Sequence, residues 1–242
     1  MKVLLVFVDE TGDRKDKAHL GFSILTMNAV FYPSLKKKVH AILDGIEWDR
    51  TVEFKGSYLF SQSKGCSEVQ VERRVEAANK ILALNMASDN SRMKFHYGRL
   101  SSNNHCEDYF QNLPTLLKKA LPKPPKGAGK NLLTVVCDER GDIGPDKMQQ
   151  ALASSIGERG WMLLERVNMV RSSYDTVGLM LADIVGYLNS RIETIGNDAE
   201  LFEGLTADRL KNNGRLRKLR SSTELISKIR RFKLHQLVES SV

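Results

Sequence analysis

Two short apolar runs in the chain predict strands that are buried on both faces of a sheet. The first, at 3–8, has the sequence VLLVFV, and the second, at 131–137, has the sequence NLLTVVC. Continuous runs of this length that are rich in β-branched residues are typical of central strands in a helix-covered sheet. Each run leads into a carboxylate pair, beginning at Asp9 and at Asp138, and then into a turn that contains glycine. Because functional groups collect at strand ends in such sheets, the two pairs are candidates for one shared acidic site.

A third apolar segment, at 178–188, contains Asp183 as its one charged residue. The segment is too long for a strand and too apolar for a surface helix, so it predicts a helix that is buried nearly all round. A buried carboxylate without a partner destabilises a fold by several kcal/mol unless a cation or hydrogen bonds compensate. We therefore expect a positive group to meet Asp183.

The remaining pattern predicts strands and helices that alternate along the chain. A basic linker at 122–130 separates two halves without dividing them into two domains. We expect one α/β domain over 1–195 and a basic helical C-terminal extension over 196–242, which packs on that domain. The further predicted strands are 18–25, 93–100 and 162–170, and the further predicted helices are 33–46, 67–87, 106–121, 145–159 and 208–237.

The charge balance of the chain favours a polyanionic partner. Its 242 residues include 37 lysines and arginines against 29 acidic residues, a formal net charge of +8. Such a surplus fits binding to DNA or RNA, but it also fits a protein that uses surface charge for solubility. The basic C-terminal segment leaves the same two alternatives: a solvated amphipathic helix that covers the sheet, or a helix that contacts a phosphate backbone.

Targeting and cysteine patterns predict a reduced, cytoplasmic protein without a membrane partner. The N-terminal apolar run is too short for a secretion signal, and no run approaches the length of a membrane span. The cysteines, Cys66, Cys106 and Cys137, form no CxxC pair. A zinc site made from His96, His105 and Cys106 would have the wrong spacing for the usual structural sites.

Glu53, in the sequence VEFKGS, is a fourth acidic candidate. Its alternative role is a salt bridge with Lys55. Clustered carboxylates raise one another's affinity for protons, and a divalent cation reverses that repulsion. Mg²⁺ prefers oxygen ligands, and two such ions about 3.5–4 Å apart can activate water and stabilise the leaving oxygen of a displacement at phosphorus. The sequence therefore predicts a Mg²⁺ or Mn²⁺ site at Asp9, Glu53, Asp138 and Asp183.

Several motifs together resemble the DUF3800 family. They occur in the family's order and cover residues 1 to 190, and the main departure is Met180, where the family more often has glutamine. In this chain DETG at 9–12 matches the family's DESG or DETG, and EFKGS at 53–57 matches its E-[LF]-K-G-S element. DE at 138–139 matches its central acidic pair, and SS at 172–173 matches its late serine. GLMLADIV at 178–185 matches its helix motif G-L-Q-x-A-D-L-[VI].

The resemblance implies a ribonuclease H-like fold, in which a mixed sheet of roughly five strands is flanked by helices and carries carboxylates at its centre. It also implies a metal-dependent nuclease that hydrolyses phosphodiester bonds of DNA or RNA. In that case Asp9 is the central metal ligand, Asp138 and Asp183 complete the ion sites, and Glu53 is a fourth ligand or positions water. Lys55 neutralises charge or contacts the scissile phosphate.

Other residues and other functions stay open at this point. Glu10 and Glu139 rank below the four acids because neighbouring strand residues point to opposite faces. Ser57 and Ser173 are candidates for hydrogen bonds to a carboxylate or a phosphate. The alternative functions are phosphoryl transfer on a small phosphate ester, and a catalytically inactive module that binds nucleic acid or another partner.

Overall fold

A mixed β-sheet lies at the centre of the computed structural model, which describes residues 2–11, 21–61, 68–84, 93–99, 107–124, 131–139, 143–197, 214–228 and 233–236. Within these ranges the strands are β1 (Lys2–Thr11), β2 (Gly21–Asn28), β3 (Met93–Arg99), β4 (Asn131–Asp138), β5 (Met162–Leu163), β6 (Asn168–Val170) and β7 (Lys233–Gln236). The α-helices are α1 (Tyr32–Asp44), α2 (Val71–Ala83), α3 (Glu107–Ala120), α4 (Pro145–Glu158), α5 (Val177–Asn197) and α6 (Gly214–Ser227). Two short 3-10 helices are Ala29–Phe31 and Gly56–Tyr58.

The predicted α/β class is confirmed, with seven strands in the described part of the sheet instead of about five. The strand order is β5-β4-β1-β2-β3-β7, and β6 also pairs with β4. β1 runs antiparallel to β2 and parallel to β4, so the two apolar runs lie side by side in the middle of the sheet. β1 and β2 form an antiparallel pair, and β3 continues it as an antiparallel neighbour of β2.

Two predicted elements differ from the structure. The strand expected over 162–170 is divided into β5 and β6, because the exposed Glu165 and Arg166 lie between two short stretches that each pair with β4. The helix expected over 208–237 is replaced by α6 and then by β7. β7 pairs in parallel with β3, so its backbone groups form hydrogen bonds with the edge of β3. The sequence of β7 alone does not indicate this pairing. The C-terminal segment is therefore part helix and part strand.

Different helices cover the two faces of the sheet. Side chains alternate between the faces along β1: Val6 and Val8 pack with residues of α3 and α4, and Phe7 packs with residues of α1, α2 and α5. The side to which Phe7 points is termed the α5 face. A Cβ atom at Gly178 would lie 2.4 Å from the Phe7 ring, so α5 rests directly on β1. α6 adds Leu225 to the same core.

Although α5 is long and largely apolar, none of the helices in the described ranges meets the combined length and hydropathy that crossing a bilayer requires.

Candidate metal centre

Pairing between β1 and β4 brings Asp9 and Asp138 together on the α5 face. The two strands are parallel, and Val8 lies opposite Cys137, so the two aspartates follow at equivalent positions. Asp9 is only 7% exposed. β1 continues to Thr11, so Asp9 lies within the strand and not beyond its end as the sequence indicated. The parallel register is what makes the two carboxylates neighbours, because side chains at equivalent positions share a face.

The buried helix predicted around Asp183 is confirmed as the first part of α5. The Asp183 carboxylate meets a backbone amide: the Gly56 N–H donates a hydrogen bond to Asp183 Oδ2 at 2.5 Å. Burial raises the pKa of Asp183 to about 6, and the charges of Glu53 and Asp138 add to that effect while the Gly56 amide and Lys55 oppose it. The amide thus leaves part of the negative charge uncompensated. Fully buried neighbours on α5 are Leu179, Met180, Leu181, Ala182, Ile184, Val185 and Leu188.

The segment that carries Glu53 leads into the 3-10 helix that contacts α5, and Glu53 lies close enough to Asp138 to affect its charge. The Glu53 side chain is 8% exposed, and Lys55 Nζ lies 2.9 Å from Glu53 Oε2. The salt bridge considered from the sequence is therefore present, and it lies next to the other acids. Burial alone would lower the pKa of Lys55, but the contact with Glu53 and the charges of Asp183 and Asp138 raise it above its ordinary value. Lys55 is thus held charged beside the cluster.

Ser172 connects two of the acids. Its hydroxyl donates to Glu53 Oε1. Its backbone N–H donates to Asp138 Oδ1 at 3.1 Å. The sequence favoured Ser173 for such a contact, but that residue is exposed and its N–H donates to Thr176 Oγ1 at 2.6 Å within the loop. In the sequence, the pair of serines indicated that one of them could contact the acids. Only the conformation of the loop shows that Ser172 is the one that does.

The four acids, Asp9, Glu53, Asp138 and Asp183, are hereafter called the acidic cluster. They come from four separate chain segments and lie close enough to perturb one another's ionisation. Burial raises the pKa of Asp9 well above its ordinary value, and the charges of Asp183 and Asp138 raise it further. Burial also raises the pKa of Asp138, with a contribution from Glu53, against the opposing effects of the Ser172 N–H and Lys55. Such a cluster binds protons tightly, and a divalent cation can take their place.

The donor chemistry of the acidic cluster suits Mg²⁺ or Mn²⁺, because every side chain offers carboxylate oxygens. In the described part of the chain, however, no group of three or more histidine, cysteine or acidic side chains is arranged so that it could hold a metal ion. The carboxylates would therefore have to move towards one another before they could hold an ion. Burial first, and charge repulsion second, raise the pKa values of Asp9, Asp138 and Asp183, and a bound divalent ion would offset both effects.

The carboxylates next to Asp9 and Asp138 in sequence are placed differently. Glu10 follows Asp9 on β1, so its side chain points to the opposite face of the sheet. Glu139 is exposed, and its backbone N–H donates to the Val170 carbonyl at 3.0 Å. These positions agree with the lower rank that strand alternation gave the two glutamates.

The buried Arg74 anchors the loop that carries Gly56. Its side chain is on α2, 1% exposed, and donates to the carbonyl oxygens of Val69 at 2.7 Å, Tyr58 at 2.5 Å and Ser61 at 2.8 Å. A guanidinium that binds several carbonyls fixes the end of the 3-10 helix and the chain that follows it. Sequence reasoning missed this residue because it stands in a helix that is rich in charged side chains.

Histidine and cysteine positions give no support for a zinc site. His96 lies on β3, where its Nδ1 is 3.0 Å from His235 Nε2. Burial, together with the nearby His235, Lys233 and Lys94, lowers the pKa of His96 to about 4, an environment that disfavours a cation. His105 and Cys106 lie outside the described residues, as does Cys66. The buried Cys137 thiol has its pKa raised to about 12 by burial and by Asp138 and Asp9.

Replacing Gly56 by alanine should weaken the fold at the acidic cluster. A Cβ atom at Gly56 would lie 2.5 Å from Tyr187 Cβ and 3.2 Å from the Asp183 carbonyl, so the loop would have to move away from α5. We expect the free energy of unfolding to fall by about 1–3 kcal/mol, as for other overpacked sites. Gly157→Ala is the matched control: this helical glycine has open space around it, and alanine there should stabilise by about 0.5–1 kcal/mol. Equal effects of the two variants in urea titrations would contradict the close packing at Gly56.

Two comparisons with known proteins return no match for this chain. No protein-family model matches it, and a search of curated proteins finds no match. The resemblance to DUF3800 therefore stays a prediction that rests on the motifs.

Proposed function

We propose that this protein is a metal-dependent nuclease that hydrolyses phosphodiester bonds of DNA or RNA. The observation that carries the proposal is the acidic cluster itself: four carboxylates from four chain segments lie near the middle strands of the sheet, and burial and mutual repulsion raise the pKa of three of them. A fold tolerates this arrangement best when a cation occupies it, and Mg²⁺ or Mn²⁺ bound by carboxylates is suited to phosphoryl chemistry.

Each member of the acidic cluster has a distinct role in the proposed reaction. Asp9, whose charge is opposed by both Asp183 and Asp138, would be the central metal ligand, with Asp138 and Asp183 completing the sites. The bound metal would supply a water or hydroxide nucleophile and neutralise charge on the phosphate. Ser172 holds Glu53 in place as the fourth ligand or as a group that orients water. Lys55, held charged by these acids, would bind a non-bridging phosphate oxygen.

Fold and charge also support a nucleic-acid substrate. The sheet is mixed and helix-covered, with the acids at its centre, as a ribonuclease H-like fold requires. The net charge of +8 favours a polyanion, and exposed bases such as Lys37, Lys38 and Arg171 can contact a phosphate backbone. A module that only binds nucleic acid gains nothing from negative charge near phosphates, so the acidic cluster favours the nuclease.

A cleavage assay tests the proposal directly. Purified protein is incubated with single- and double-stranded DNA, RNA and a DNA–RNA hybrid, in Mg²⁺, in Mn²⁺ and in EDTA. We expect cleavage of at least one substrate with a divalent ion, no cleavage in EDTA, and loss of cleavage in Asp183→Asn. If every substrate stays intact while nucleic acid binds with a steep dependence on salt, the inactive binding module is correct. If a phosphoryl group is found on Asp9, phosphoryl transfer is correct.

Replacing Ser172 by alanine should impair both cleavage and stability. The substitution removes the hydroxyl that holds Glu53, while the backbone contact with Asp138 stays. We expect the cleavage rate to fall about tenfold and the free energy of unfolding to fall by about 1 kcal/mol. Ser173→Ala, one residue along and exposed, should leave both unchanged. A larger loss in Ser173→Ala than in Ser172→Ala would contradict the assigned contact.

A further inference from the structure

Three side chains next to the acidic cluster form a partly exposed stack of aromatic and guanidinium groups. The rings of Phe60 and Tyr187 lie with their centroids 6.4 Å apart and their planes inclined by 28°. The guanidinium carbon of Arg191 lies 5.2 Å from the centre of the Tyr187 ring. Arg191 Nε also donates to the Tyr187 hydroxyl at 3.0 Å. All three side chains are intermediate in exposure, so the stack reaches the surface.

Two chain segments, α5 and the loop around Gly56, each carry a residue of the stack and a residue of the acidic cluster or its contacts. On α5, Tyr187 follows Asp183 by four residues, which places their Cβ atoms about 5–6 Å apart on one side of the helix. On the loop, Phe60 follows Gly56, whose amide binds Asp183 and whose Cα lies against Tyr187. A nucleotide adjacent to a phosphate at the acidic cluster can therefore reach the stack.

Tyr187 and Arg191 lie farther along α5, where several side chains are partly exposed. The large residues on the first turns of α5 are fully buried, whereas Phe60, Tyr187 and Arg191 each keep part of their surface accessible. Aromatic rings and arginine planes are the groups on which unpaired bases stack, and cation–π contact with arginine adds to the attraction. In a duplex the faces of internal bases are already covered by their neighbours. A site that binds base faces therefore selects single strands.

We propose that Phe60, Tyr187 and Arg191 bind an unpaired base next to the scissile phosphate, so that the substrate of the acidic cluster is single-stranded nucleic acid. The proposal rests on the proposed nuclease function for the role of the phosphate. Base stacking itself needs no sequence, so the stack would accept many sequences and would select strandedness.

Binding and cleavage measured on the same variants test this proposal. Fluorescence anisotropy with a labelled oligonucleotide, single-stranded or annealed to its complement, is recorded in Ca²⁺, and a gel checks that the strand stays intact. The variants are Phe60→Leu, which keeps apolar volume without a ring, and Arg191→Gln. The matched control is Phe110→Leu, a partly buried aromatic in the core on the opposite side of the sheet. Thermal unfolding of each variant verifies that it is folded.

We expect the wild type to bind the single strand about tenfold more tightly than the duplex, and each stack variant to lose about tenfold in single-strand affinity. The stack variants should keep the wild-type affinity for the duplex, and Phe110→Leu should keep the wild-type affinity for both forms. Equal affinity of the wild type for both forms, or unchanged single-strand binding in both stack variants, overturns the proposal.

Failure of the stack and failure of the nuclease give different results. Absence of cleavage with Mn²⁺, together with single-strand binding that Phe60→Leu weakens, removes the nuclease and keeps the stack. The opposite result is that cleavage depends on Asp9 while Phe60→Leu and Arg191→Gln bind and cleave single strands as the wild type does. That result rejects the role of the stack and keeps the nuclease.

Discussion

Replacing Asp9 by asparagine should abolish metal-dependent cleavage and leave the metal-free protein at least as stable as the wild type. Asp9 is the most buried of the three acids whose pKa is raised, and its charge is opposed by Asp183 and Asp138. Removing that charge takes away a metal ligand, so we expect cleavage to fall by about 10³-fold or more. The same change relieves repulsion, so unfolding in EDTA at pH 8 should require about 1 kcal/mol more free energy.

The combination of lost activity and gained stability is what separates a metal site from a structural network. In a structural salt-bridge network, removal of one member leaves its partner unpaired and destabilises the fold. Glu139→Gln is the matched control, because this exposed carboxylate lies next to Asp138 in sequence and outside the acidic cluster. We expect it to change neither quantity. A marked loss of stability in Asp9→Asn, measured by urea titration in EDTA, would contradict the assignment.

Mn²⁺ should raise the melting temperature, and the rise should increase with pH. In the metal-free protein the pKa of Asp183 is raised to about 6, and the pKa values of Asp9 and Asp138 are also raised. A carboxyl group with a raised pKa binds more protons in the folded state than in the unfolded state. Its contribution to stability is therefore present below the unfolded pKa, about 4, and is lost as the pH rises through about 6.

A divalent ion takes the place of those protons, so we expect it to stabilise the fold mainly above pH 6, where the carboxyl groups have lost them. At an ion concentration of about 100 times the dissociation constant the gain is about 2.7 kcal/mol, or about 5–10 °C for a chain of this size. The measurement is thermal unfolding in Mn²⁺ and in EDTA at pH 5, 6, 7 and 8. Carboxylates with lowered pKa, such as Asp44 and Asp175, give the opposite pH trend, but they affect both conditions equally. An equal rise at pH 5 and pH 8, or the same rise in Asp9→Asn, would contradict metal binding by the acidic cluster.

Sequence periodicity predicted the parts of the fold that hold most of the acids. β1, β4 and the start of α5 are continuous apolar segments, because an element that is buried on both sides needs apolar residues at nearly every position. The acids were recognised because a charge next to or within such a segment is energetically costly. Glu53 came from the motif alone, since its segment is neither helix nor strand and has no periodic signal.

The features that the sequence missed depend on contacts between distant backbone segments. β7 needs the free edge of β3 before its four residues gain a strand conformation. The Gly56 amide that binds Asp183 has no side chain to mark it, and Arg74 lies among other charged residues although its partners are carbonyl groups. Choosing Ser172 over Ser173 likewise requires the conformation of the loop after β6.

The most direct test of the central claim is a crystal structure with Mn²⁺, located by its anomalous scattering. We expect a Mn²⁺ peak bound by carboxylate oxygens of Asp9, Asp138 and Asp183, at the roughly 2.1 Å typical of such hard cations, and no peak there in Asp9→Asn crystals. Mn²⁺ bound only elsewhere on the protein, with the Asp183 carboxylate still held by Gly56 and separate from Asp9, would contradict the claim that the acidic cluster is a metal centre.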